Sequence, residues 1–199
     1  MPSKVTRTTG AIALVSAALW ILSVIVLATA SGFQDGMSMN SSWIVPVVLA
    51  VATFGIALLG VFRRAGGLRG WLPLAALAVA ALGFLISVIG TWAWPVWGIL
   101  LTVAGLLAVL RLRSARLGVT VSTRFTDWLL VAAWPLGIVV SILLSELHVG
   151  PLDEDGDYPV AVGAGFGVGA LLFAIALVQI GRWLRSERPI MTTPATQAA

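Results

Sequence analysis

The sequence predicts an all-α fold, a polytopic integral membrane protein built as a bundle of six transmembrane helices, and three observations carry that prediction. First, the chain holds six long apolar runs, each close to the roughly 20 residues a helix needs to cross the hydrocarbon core of a bilayer. Second, 59% of its 199 residues are hydrophobic and only 10% charged, with a mean hydropathy of +1.04, a balance foreign to water-soluble globules. Third, its 12 basic residues all fall in alternate connections and at the two ends. Backbone in lipid must satisfy its own hydrogen bonds, so uncharged runs that do not alternate in polarity form helices rather than barrel strands.

The spans are expected at about 9–30, 43–62, 71–90, 94–110, 128–147 and 160–183, with residues 1–188 forming one transmembrane domain and 189–199 a polar, disordered cytoplasmic tail. The first span follows Lys4 and Arg7 and ends on Ala28, Thr29 and Ala30, so it resembles a signal peptide. Its apolar core, Ala11 to Ala28, exceeds the usual signal-peptide length, which favours a retained anchor. Residues 31–42 are short and polar and carry Asp35 without a basic residue, as an outer loop would. Trp43 opens the second span, Pro46 fits its first turn, and Arg63, Arg64 and Arg69 mark an inner loop. Trp71 and Pro73 begin the third span. Trp92, Trp94 and Trp97 then crowd around Pro95 at a short outer connection, where they are expected to form an interfacial belt, with a cation-binding aromatic box as the alternative.

The fourth span leads into the longest inner loop, 111–127, whose Arg111, Arg113, Arg116 and Arg124 are expected to bind anionic lipid headgroups. Thr126 or Asp127 would cap the fifth helix and Trp128 would mark its inner interface. With both termini inside, every basic residue is cytoplasmic, together with Asp127 and Glu187, while Asp35, Glu146, Asp153, Glu154, Asp155 and Asp157 lie outside. The positive-inside rule is then obeyed without exception. The second, fourth and sixth spans share an aromatic with Pro at the outer start, Gly within and Arg at the inner end, a pattern that fits three helical hairpins in parallel orientation.

Chemistry has few places to reside. Cysteine is absent, there is one His, and no ionisable group sits in mid-span, so iron–sulfur, thiolate and paired-His zinc sites are excluded and ion-coupled transport is disfavoured. No cofactor is expected. No basic face interleaved with aromatics points to nucleic acid. The deep polar residues Ser16, Ser23, Thr53, Ser87, Thr102 and Ser141 are hydroxyls that can bond back to their own helices, and Gln179 is expected to bridge helices or reach the inner headgroups.

The stretch 145–170 is the exception. Glu146, His148, Asp153, Glu154, Asp155 and Asp157 supply hard oxygen ligands and one imidazole, a candidate divalent-cation site without the EF-hand spacing, to be set against a solvated, mutually repelling outer loop. Below it Gly163, Gly165, Gly167 and Gly169 form two overlapping GxxxG pairs, expected to be a seam for close helix packing against the fifth span, whose Pro135 and Gly137 should bend it. The resulting expectation is a non-enzymatic multi-pass protein of the bacterial plasma membrane, an accessory or scaffold subunit whose partners are the bilayer and another membrane protein or a second copy. The alternative is a passive transporter or lipid-handling protein.

Overall fold

The structure, a computed structural model, describes residues 4–30, 44–65, 67–90, 93–114, 121–150, 152 and 158–186. Among these residues it contains six helices: α1 (Lys4–Ala30), α2 (Ile44–Arg64), α3 (Trp71–Ile89), α4 (Trp94–Ser114), α5 (Val121–Glu146) and α6 (Pro159–Arg185). Each is long and apolar enough to cross a membrane. At 1.5 Å per residue the shortest, with 19 residues, spans about 28 Å, close to the thickness of a hydrocarbon core.

Helix ends depart from the apolar runs where polar residues extend a helix beyond its hydrophobic limit. Helix α1 starts at Lys4, α4 continues through Arg111 to Ser114, and α5 begins at Val121, so the expected inner loop 111–127 is mostly helix. Thr126 and Asp127 therefore lie inside α5 rather than capping it. Hydropathy marks where lipid would end, whereas backbone hydrogen bonding continues into a polar environment. Helix α5 also runs unbroken through Pro135, which sits on its exposed face.

Every helix packs on its neighbours in the chain, and α6 closes onto α1, so the six form a ring. Adjacent helices are antiparallel. Ser16 reaches Ala50 while Thr9 lies against Gly60, and an added Cβ at Gly181 would strike Gly10 while one at Gly167 would approach Val24. The outward faces are apolar: Val15 and Leu22 of α1, Leu85 and Val88 of α3, and Val139 and Leu143 of α5 are all exposed. So continuous an apolar exterior is unfavourable in water and suits lipid.

The interior is aromatic. Trp20 of α1, Phe54 of α2, Trp94 and Trp97 of α4, Trp134 of α5, and Phe166 and Phe173 of α6 are all buried. Helix α3 supplies no large ring to this group. Its buried face is Pro73, Ala76, Ala80, Gly83 and Ser87, spaced by three and four residues, which is the seam of a closely packed helix.

Candidate functional site

The aromatic axis is the densest feature of the molecule. Trp20, Trp97 and Trp134 meet pairwise, with ring centroids 5.8 Å apart for Trp20 and Trp97, 5.1 Å for Trp20 and Trp134, and 5.0 Å for Trp97 and Trp134. The last two pairs are edge-to-face, the arrangement favoured by the ring quadrupoles. Phe173 continues the column, 6.0 Å from Trp20 and 5.0 Å from Phe54. Among the described residues none of the three buried tryptophan indole N–H groups has a hydrogen-bond partner. In an apolar interior each such donor forfeits about 1–3 kcal/mol, so this axis is held by ring packing and not by polar pairing.

This overturns the interfacial belt expected at the start of α4. Trp94 is 3% and Trp97 0% exposed, because residues three apart share a helix face and that face turns to the axis while Val96 and Ile99 face outward. Trp92 lies outside the described residues. Trp20 and Trp134 carried no expectation, although a tryptophan in mid-span, remote from either headgroup level, is itself the signal of a buried ring. Trp71 and Trp128, by contrast, are 70% and 67% exposed.

Most deep hydroxyls bond back to their own helices. Ser23 donates to the Trp20 carbonyl at 2.7 Å, Ser87 to Phe84 at 2.7 Å, Thr53 to Leu49 at 2.7 Å and Thr102 to Gly98 at 3.1 Å. Ser16 differs, donating across to the Ala50 carbonyl of α2 at 2.9 Å. Gln179 bridges helices: its Oε1 accepts a hydrogen bond from the Thr126 hydroxyl of α5.

Of the glycine ladder, Gly165 and Gly169 lie against α5. A Cβ at Gly165 would stand 2.5 Å from both the Gly137 carbonyl oxygen and Ser141 Cβ, and one at Gly169 would stand 2.8 Å from the Trp134 ring. Gly167 has room, its nearest neighbour being Val24 of α1 at 3.8 Å, and Gly163 is buried.

At the α5–α6 junction the backbone closes in a Schellman motif. The Val149 N–H donates to the Leu144 carbonyl and the His148 N–H to Ser145, each at 3.0 Å. This puts His148 at the left-handed position, with φ 56°, which glycine usually fills. Its ring meets Tyr158 edge-on at 5.4 Å, tying the end of α5 to the start of α6. Glu146 and His148 are exposed. The four other candidate cation ligands, Asp153, Glu154, Asp155 and Asp157, lie outside the described residues.

The opposite end is basic. Arg64 at the end of α2 donates to the Trp183 carbonyl and, at 3.2 Å, to the Ser186 carbonyl, with its guanidinium 4.5 Å over the Trp183 ring. A cation thereby caps the carbonyl end of α6, where the helix dipole favours it. Lys4, Arg7, Arg63, Arg69, Arg182 and Arg185 are exposed around it. Two cavities among the described residues open at this part of the molecule. One, of about 210 Å³, is lined by Arg69, Gly70, Trp71, Leu72, Pro73 and Arg111. The other, of about 120 Å³, lies between Asp127, Trp128 and Val131 of α5 and Leu106, Val109 and Leu110 of α4. Among the expected lipid-binding arginines, Arg111 is thus at a cavity wall, while the side chains of Arg113 and Arg124, and all of Arg116, lie outside what the structure describes.

Comparison with protein-family models, with curated proteins and with solved structures returns no match for this chain.

Proposed function

We propose that this chain is a multi-pass protein of the bacterial plasma membrane, with both termini on the cytoplasmic side and α1 retained, and that it serves as a non-catalytic accessory or scaffold subunit through its helix faces and loops. The observation that carries the reading is the filled axis. A route for solute through a ring of six helices would run where Trp20, Trp97, Trp134 and Phe173 stack, and the neighbouring α5–α6 seam brings backbone against backbone. Neither of the two cavities described above is lined by Gly163, Gly165, Gly167 or Gly169. A carrier would instead need a polar-lined path with groups able to replace a solute's hydration.

Orientation follows from charge. Lys4, Arg63, Arg64, Arg69, Arg182 and Arg185 gather at one end of the bundle, and lysine and arginine are retained on the cytoplasmic face. Retention of α1 fits its place in the ring, with Trp20 in the aromatic axis and Ser16 bonded to α2. The bacterial assignment rests on composition, with arginine supplying all but one of the 12 basic residues. Gentle solubilisation from native membranes tests the function: a scaffold elutes in a stoichiometric larger assembly and leaves liposomes sealed. Protein that runs alone and moves a small apolar or lipid-like solute between liposomes removes the scaffold reading in favour of passive transport.

A further inference from the structure

We infer that the cavity between the start of α3 and the end of α4 binds the phosphate of an anionic phospholipid headgroup. The inference rests on the membrane reading above and adds to it a ligand and a place. Two guanidinium-bearing residues from different elements, Arg69 of the α2–α3 connection and Arg111 of α4, line one cavity of about 210 Å³. A water's share of the liquid is about 30 Å³, so the space admits a group of several heavy atoms. Guanidinium pairs suit phosphate because their planar donors match its oxygens two at a time.

The third wall is the first turn of α3. Its N-cap, Gly70, has φ 101° and ψ 168° and provides no side-chain cap, a backbone region open to glycine almost alone. Gly70 and the first three residues of α3 line the cavity, so the N-terminal end of that helix, with its partial positive charge, adjoins it. Among the described residues nothing lies within 4 Å of where a Cβ at Gly70 would sit, so the backbone conformation and not crowding calls for glycine there.

The apolar part of the lining separates a lipid from a free phosphate ion. Trp71, Leu72 and Pro73 complete the wall, and Trp71 and Leu74 stand 70% and 61% exposed on the outer side of α3. Free phosphate gains nothing from that surface. A phospholipid lays the top of its acyl chains along it, with the indole at headgroup level.

The test uses the purified full-length protein in uncharged detergent, titrated with short-chain phosphatidylglycerol, short-chain phosphatidylcholine and inorganic phosphate. Phosphatidylglycerol is expected to bind at least tenfold more tightly than either of the others. Arg69→Gln should weaken it about fivefold and Arg111→Gln by a similar factor, the equivalent of about 1 kcal/mol for each basic residue near a headgroup. Arg63→Gln, an exposed charge at the same end that does not line the cavity, should change affinity less than twofold. Because Arg69 is exposed in a connection, its variant is the one that reports binding without disturbing the fold. Equal loss in Arg69→Gln and Arg63→Gln would reduce the effect to diffuse charge and overturn the site, and equal binding of inorganic phosphate would overturn the lipid as its ligand. Neither result bears on whether the protein assembles with partners or moves a solute, so this inference and the scaffold reading fail separately.

Discussion

At the scale of single residues, His148 combines two opposing effects. Its left-handed φ of 56° carries a penalty of roughly 1–2 kcal/mol for an L residue, while its ring stands edge-on to Tyr158, an arrangement worth about 0.5–1.5 kcal/mol between aromatic rings. Glycine relieves the first and loses the second, whereas alanine keeps the penalty and loses the contact. Thermal unfolding in detergent should therefore rank His148→Gly within about 1 kcal/mol of the parent and clearly above His148→Ala. Both variants lose the ring contact, so alanine equal to or above glycine would mean that the turn is not as described. The turn could not be read from the residues, because SELHVG ends without the glycine that usually signals a Schellman close at the left-handed position. The buried tryptophans were illegible for a related reason. Trp94 and Trp97 sit beside a helix start, where interfacial and core positions differ only by which way the face turns, and a single sequence does not record that rotation.

At the scale of elements, the seam between α5 and α6 is defined by backbone proximity. A Cβ at Gly165 would meet the Gly137 carbonyl oxygen at 2.5 Å, and main chain, unlike a flexible side-chain tip, cannot swing aside. Gly165→Ala is expected to cost about 1–3 kcal/mol, the range for overpacking a filled interior. Gly55→Ala makes the contrast, since nothing lies within 4 Å of its Cβ direction and helix propensity alone favours alanine by up to about 1 kcal/mol. Unfolding of the two variants in one detergent checks the pair, and a Gly165→Ala protein as stable as Gly55→Ala would show that the helices are not in backbone contact. The existence of six helices was legible because apolar length is a strong, local signal. Their ends were not, since α4 and α5 carry on into polar sequence as far as Ser114 and back to Val121, beyond where hydropathy has any say. The alternation of Gly163, Gly165, Gly167 and Gly169 announced close packing. It did not reveal that Gly165 and Gly169 would meet α5 while Gly167 turned towards α1, which depends on the ring closing.

At the scale of the whole molecule, ring closure links packing to orientation. Gly10 near the start of α1 meets Gly181 near the end of α6, so both ends of the described chain lie together at the basic end, as an even number of antiparallel helices requires. On the proposed membrane reading, charge sets which leaflet that end faces. Translocating an arginine is opposed by its insertion penalty and by the inward pull of the membrane potential, and reversing the whole bundle would move every basic residue outward. A reporter active only on the outer side should therefore be silent when fused after Arg116 and active when fused after Gly150, while a reporter that works only in the cytoplasm should give the opposite pair. The two fusion points flank α5 alone, so the comparison also tests whether that helix crosses despite Pro135 in its interior. Activity of the outer-side reporter after Arg116 would invert the orientation and move the Arg69–Arg111 cavity to the outer leaflet. The same activity at both fusion points would remove α5 as a span, and with it the closed ring on which the filled axis depends.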